Sequence, residues 1–222
     1  MTQAICSQEI EIQAKNFSLP GTLALPERVH GLVLFAHGSG SSRFSPRNRF
    51  VAQVLNERGL ATLLFDLLTA EESLIDEQTA EFRFDIELLA ERLTGAVDWA
   101  SVQPELKGLP IGLFGASTGA AAALIAAARR PESVKAVVSR GGRPDLAEEA
   151  LSHVKAPTLL IVGGQDFVVL ELNRKAAQKL NAFWRLEIVP GATHLFEEPG
   201  ALERVAQLAA EWLERYLQRP AV

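Results

Sequence analysis

Polar and apolar positions alternate at the start of the chain. Ile10 and Ile12 fall between Glu9, Glu11 and Gln13, the two-residue period of a half-buried strand. Lys15-Asn16 reads as a turn, and Phe17 to Leu25 as a second strand interrupted by Pro20-Gly21, so the two predict an edge hairpin. The pattern then changes. Gly31 to Ala36 is apolar throughout, as expected of a strand covered on both faces; Ala61 to Phe65 is the next buried strand, and Pro110 to Ala116, Val134 to Ser139, Pro157 to Val162 and Phe183 to Val189 read as further strands. Helical periods lie between these runs. Val51, Val54 and Leu55 mark a helix stopping at Gly59; Ile86, Leu89, Leu93, Val97 and Ala100 share one helical face. An alanine-rich helix ends before Pro131, a short helix covers Leu146 to Leu151, and another runs from about Val169 to Leu180. A terminal helix buries Val205, Leu208, Ala209, Trp212 and Tyr216, whereas Leu67 to Ala80 reads as acidic and irregular. Strands alternating with helices predict an α/β fold: a mostly parallel central sheet with helices on both faces and the N-terminal antiparallel hairpin at its edge.

In such a sheet ligands collect outside the carboxyl ends of the strands. The chemically active residues fall there: His37 to Ser39, Asp66, Ser117, Arg140, Asp166 and His194. Gly115-Ala116-Ser117-Thr118-Gly119 is G-x-S-x-G between an apolar strand and an alanine-rich helix, the pattern of a nucleophile elbow. A plain capping serine in a glycine-bracketed loop fits the same five residues. A serine hydroxyl needs a base, and the base needs an orienting group. His30 and His153 precede strands and lie at the wrong end, and His37 sits in a glycine loop suited to donating backbone amides. His194, after the final strand, is the expected base. Asp166 directly follows the strand before it and is the expected acid; capping the next helix is its alternative role, and Asp145 and Asp66 are the other carboxylates at this rim.

Composition narrows the function. The chain has 222 residues, enough for one domain with a substantial core, so residues 1–222 are expected to form a single unit. A net charge of −5 argues against nucleic-acid binding. Cys6 is the lone cysteine, so no internal disulfide is possible. The N-terminal residues lack the apolar core of a signal peptide, and no apolar run approaches membrane-spanning length. The expectation is a cytoplasmic protein, monomer or homodimer, acting on a small molecule with no membrane or nucleic-acid partner. The histidines and acids lack metal-ligand spacing and no phosphate-loop pattern is present, so neither metal nor cofactor is expected.

Jointly, His37-Gly38-Ser39-Gly40, the Ser117 elbow, Gly164-Gln165-Asp166 and Gly191-Ala192-Thr193-His194 resemble the α/β-hydrolase superfamily, in particular its dienelactone-hydrolase-like group, from Gly31 to the terminal helix. The order serine, acid, histidine is that of α/β-hydrolases. Dienelactone hydrolases use cysteine as nucleophile; Ser117 stands there in this chain, which puts the dienelactone substrate in question and leaves ester hydrolysis intact. The resemblance implies an oxyanion hole built from the backbone amides of Ser39 and Thr118. Losing one such donor costs on the order of 3 kcal/mol. Many α/β-hydrolases insert a helical cap after the sixth strand of the core. Here only a short helix separates Ser139 from Pro157, so no cap domain is expected and the lining loops must select the substrate.

Those loops carry Arg43, Arg47, Arg49, Arg140 and Arg143. Guanidinium forks suit anions, so Arg140, with Arg43 or Arg47, is a candidate for recognising an anionic group, and Phe44, Phe167, Leu195 and Phe196 for walling an acyl pocket. The reading that follows is a carboxylic ester hydrolase with catalytic Ser117, Asp166 and His194, and Arg43, Arg140 and Phe167 at the substrate. A thioesterase or acyltransferase on the same triad, or a non-catalytic binding module on a hydrolase scaffold, are the alternatives.

Overall fold

The computed structural model describes residues 4–218. Eight strands form one sheet in the order β1-β2-β4-β3-β5-β6-β7-β8. They are β1 (Ile5–Gln13), β2 (Ser18–Pro26), β3 (Gly31–Ala36), β4 (Leu60–Phe65), β5 (Ile111–Ala116), β6 (Val134–Arg140), β7 (Thr158–Gly163) and β8 (Trp184–Val189). The first two pair antiparallel, β2 joins β4 antiparallel, and every pairing from β4 to β8 is parallel. The hairpin therefore caps one edge of a parallel sheet, as the alternation at Ile10 and Ile12 predicts.

Residues of β3, β4, β5 and β7 are buried along their whole length. That is why they read as unbroken apolar runs: helices lie on both of their faces. Helices α1 (Pro46–Glu57) and α6 (Ala201–Tyr216) share one face, where Val51, Leu55, Val205, Ala209 and Leu213 pack on Val33, Phe35, Phe114 and Val138. Helices α3 (Ile86–Val102) and α4 (Thr118–Arg129) cover the other, where Leu93, Val97, Ala121 and Leu124 meet Leu32, Leu34, Leu113 and Val137. Helix α5 (Phe167–Ala177) joins β7 to β8, and a 3-10 segment with a kink at Glu148 (Pro144–His153) joins β6 to β7. No cap domain interrupts the sheet.

Two local expectations are corrected. Pro20-Gly21 does not interrupt β2: Pro20 pairs with Glu11 and lies just outside the Gly21–Ala24 stretch that pairs with β4, so its missing amide removes no bond on that side. The acidic segment after Leu67 is not irregular but holds α2 (Ala70–Thr79). A capping box drives it: Glu72 N–H donates to Thr69 Oγ1 (3.2 Å) and Thr69 N–H to the Glu72 carboxylate (2.8 Å). Buried Asp76 then closes the far end by accepting from the backbone amides of Phe82 and Arg83 and from Arg83 Nε.

The strand order fixes where chemistry can occur. From β3 the chain steps outward to β4, then returns to place β5 on the other side of β3. The crevice between the carboxyl ends of β3 and β5 is a topological switch point. The His37–Ser42 loop leaves β3 there, and Ser117 leaves β5 there.

Candidate active site

Ser117 stands between β5 and α4 at φ 51° and ψ −121°, a left-handed backbone at a non-glycine residue. Such a conformation costs on the order of 1–3 kcal/mol and persists only where the surroundings enforce it. Here Ser117 N–H donates to Arg140 O (3.2 Å), and Ser117 O accepts from the amides of Ala120 (3.1 Å) and Arg143 (3.0 Å). Two glycines permit the turn. A Cβ on Gly115 would lie 2.5 Å from Ala120 Cα, and one on Gly119 would lie 2.3 Å from Ala36 O. The Ser117 side chain does not cap α4, which sets aside the capping role open to it from sequence.

Asp166 begins α5 and its side chain does not cap that helix either. Its Oδ2 instead takes His194 Nδ1 at 2.6 Å. The carboxylate is mostly buried and the imidazole partly open, with side-chain exposures of 14% and 39%. The other two rim carboxylates are engaged elsewhere. Asp145 accepts both arms of Arg143 (2.9 and 2.8 Å), and Asp66 accepts the backbone amide of Arg43 (2.7 Å) and its guanidinium. The turn 141–143 bridges the elbow and the imidazole. Arg143 N–H holds Ser117 O, and a Cβ on Gly141 would lie 3.6 Å from His194 Cε1. Ser117, Asp166 and His194 thus come to one corner of the sheet from the ends of β5, β7 and β8.

Ser39 and Thr118 are also neighbours. As the first residue of α4, Thr118 has no helical partner for its N–H. Ser39 N–H is occupied: it donates to Thr118 Oγ1 at 2.9 Å.

Residues 19–218 match the sequence model of the Dienelactone hydrolase family. The chain belongs to that family. The crystal structure of dienelactone hydrolase from Anabaena variabilis ATCC 29413 is 59% identical, with a TM-score of 0.95, 96% of this chain and 99% of that one being covered. Est1E from Butyrivibrio proteoclasticus shares the fold at 19% identity and a TM-score of 0.77, over 94% of this chain and 98% of that one. Two Mycobacterium tuberculosis proteins, from strains CDC 1551 / Oshkosh and H37Rv, are each 56% identical over 213 residues and carry the provisional name phosphoribosyl transferase. That match takes in 96% of this chain and 47% of theirs, so the chain spans about half the length of the curated relatives it matches. Family and fold support a hydrolase. Among the described residues no helix is long and apolar enough to cross a membrane, and no cluster of three or more His, Cys, Asp or Glu could hold a metal ion.

The substrate-binding candidates separate in this family member. Arg43 is tied down by Asp66, reaches Glu9 (3.4 Å) and lies over the Phe44 ring, 4.3 Å from its centroid. It braces the loop after β3. Phe167 is two-thirds exposed at the start of α5, and Phe44 and Leu195 are exposed too, whereas Phe196 is buried in the core beside α6. Arg140 is buried. A cavity of about 570 Å³ lies beside the site, between α2 and the loop after β3, lined by His37 to Ser42, Phe44, Leu67, Leu68 and the Asp76–Arg83 pair. Helix α2 was not expected to form a wall of the site; Thr69-x-x-Glu72 was the sequence signal for it.

His37 is a structural residue. Its Nδ1 lies 3.0 Å from Gly38 O, and its Nε2 accepts Leu67 N–H at 3.1 Å, which fixes a neutral ring with the proton on Nδ1. Burial pulls its pKa below the usual value of 6.5, against smaller opposing contributions from the Gly38 carbonyl and Asp66. A histidine held neutral only in the folded state binds its proton more readily when unfolded. Stability therefore falls as pH drops through about 6.5, by up to about 1.4 kcal/mol per pH unit. Chemical denaturation between pH 7 and 5 should show a shallower loss in His37→Gln than in the wild type; equal slopes would remove His37 from the account.

Proposed function

We propose that the chain is a serine hydrolase that cleaves small carboxylic esters through an acyl-enzyme. The observation that carries this reading is the 2.6 Å contact between His194 Nδ1 and Asp166 Oδ2, beside a strained serine on a strand-to-helix turn. With its Nδ1–H held in a hydrogen bond to the Asp166 carboxylate, His194 presents Nε2 as a base. Ser117 Oγ attacks the ester carbonyl and passes its proton to Nε2. The carbonyl oxygen becomes an oxyanion and displaces Thr118 Oγ1 from the Ser39 amide, so that the Ser39 and Thr118 N–H groups stabilise it together. His194 returns the proton to the departing alcohol. A water, deprotonated in the same way, then releases the acid and restores Ser117.

The transferase name belongs to proteins twice this length and is not carried over; what supports hydrolysis lies within these 222 residues. The role of Asp166 is checked by Asp166→Asn. An amide offers His194 Nδ1 its donor side and favours the wrong tautomer, so turnover of p-nitrophenyl acetate should fall about 10⁴-fold. A wild type that hydrolyses no short-chain ester, or an Asp166→Asn variant with undiminished kcat, would contradict the reading.

A further inference from the structure

Arg140 is the last residue of β6 and is only 7% exposed. Its Nη2 makes a long contact of 3.5 Å to Asn48 Oδ1, while Nε and Nη1 are buried with no partner. Among the described residues no carboxylate pairs with this charge. The charged neighbour is Arg47, whose own Nε is also buried without a partner and whose Nη1 reaches only the exposed Glu197, at 3.5 Å. Arg47 and Asn48 lie in the first turn of the twelve-residue helix α1, which has no acidic residue there to offset the positive end of its dipole. Burial and the nearby Arg47 lower the Arg140 pKa to about 10, so it remains charged at neutral pH.

A buried, unpaired guanidinium is costly unless something binds it. We propose that Arg140 and Arg47, with the N-terminal end of α1, hold the phosphate group of a phosphorylated acyl substrate. Two cations and a helix end outweigh the single exposed carboxylate of Glu197, so a dianion balances the corner better than one carboxylate would. Phosphate also brings enough acceptor oxygens for both arginines and for a first-turn amide. The corner adjoins the reacting centre: Arg140 pairs in register with Ala116, and its carbonyl accepts the Ser117 amide. Ser45 and Pro46, the cap and first residue of α1, line the cavity of about 570 Å³, so the N-terminal end of α1 borders it. The inference rests on the serine-hydrolase reading for its substrate, but not for the site itself.

The probe is inorganic phosphate, titrated at constant ionic strength against melting temperature and against p-nitrophenyl acetate hydrolysis, with acetate ion as the monoanionic comparator. Phosphate should raise the melting temperature and inhibit competitively, and acetate should do neither. Arg140→Met should raise the melting temperature of the ligand-free protein and weaken phosphate binding by about tenfold or more. Arg47→Gln, at a partly exposed position, should weaken it in the same direction, and it serves alone if Arg140→Met does not fold. Of the p-nitrophenyl esters of glycolic and phosphoglycolic acid, the phosphorylated one should have the higher kcat/KM, with the advantage lost in either variant. The proposal is overturned if phosphate gives no shift in the wild type, if its effect persists in the variants, if acetate acts as strongly, or if the phosphorylated ester has no advantage. A protein that binds phosphate through these arginines but hydrolyses no ester would sink the hydrolase reading and keep the site; one that hydrolyses esters and ignores phosphate would do the reverse.

Discussion

Ser117→Ala should lower kcat for p-nitrophenyl acetate by about 10⁵- to 10⁶-fold while the protein folds as before. The magnitude follows from what is removed. Without the hydroxyl no acyl-enzyme can form, and only binding and the backbone amides are left to assist water. The fold should tolerate the change because the Ser117 side chain caps nothing, while the backbone bonds that hold the turn, to Arg140, Ala120 and Arg143, do not involve it. Alanine keeps the strain at φ 51°; glycine relieves it. Ser117→Gly should therefore be equally inactive and more stable than the alanine variant by about 1 kcal/mol, read from chemical denaturation. Activity surviving in either variant would place the nucleophile elsewhere.

Gly119→Ala should be strongly destabilising. Its Cβ would lie 2.3 Å from Ala36 O and 2.6 Å from His37 O, both backbone atoms of β3 and the loop that leaves it. Neither can rotate away, so α4 and β3 must separate at the point where Ser39 N–H meets Thr118 Oγ1. A loss of about 3 kcal/mol or more is expected, equivalent to a melting point lower by roughly 10 °C for a chain of this size. Gly108→Ala is the control: Gly108 has φ 79° but nothing within 4 Å of an added Cβ. It should cost only about 1 kcal/mol, from backbone strain alone. Equal effects of the two would show that close approach at the elbow is not what requires Gly119.

Much of this architecture was legible because buried parallel strands announce themselves. Residues of β3, β4, β5 and β7 are buried along their whole length, and strands covered on both faces and separated by helical periods point to a parallel sheet. The placement of Ser117, Asp166 and His194 after the carboxyl ends of β5, β7 and β8 was legible for the same reason, since loops that leave parallel strands must emerge at one edge. Asp166 could not be ranked above Asp145 with certainty from spacing; the difference lies in Arg143, two residues before Asp145, which turns back to pair with it. Helix α2 was obscured by its acidic composition, although Thr69 and Glu72 carried its start signal. Charge pairing was the least legible feature. Arg43 and Arg140 look alike along the chain, yet Asp66 neutralises one and, among the described residues, no carboxylate pairs with the other.

The most direct test of the central claim is covalent trapping. Incubation with a fluorophosphonate followed by intact-mass and peptide mass spectrometry should give one adduct per chain, located on Ser117, absent from Ser117→Ala and retained in Cys6→Ala. An unmodified wild type, or an adduct that remains in Ser117→Ala, would contradict an activated serine at the end of β5.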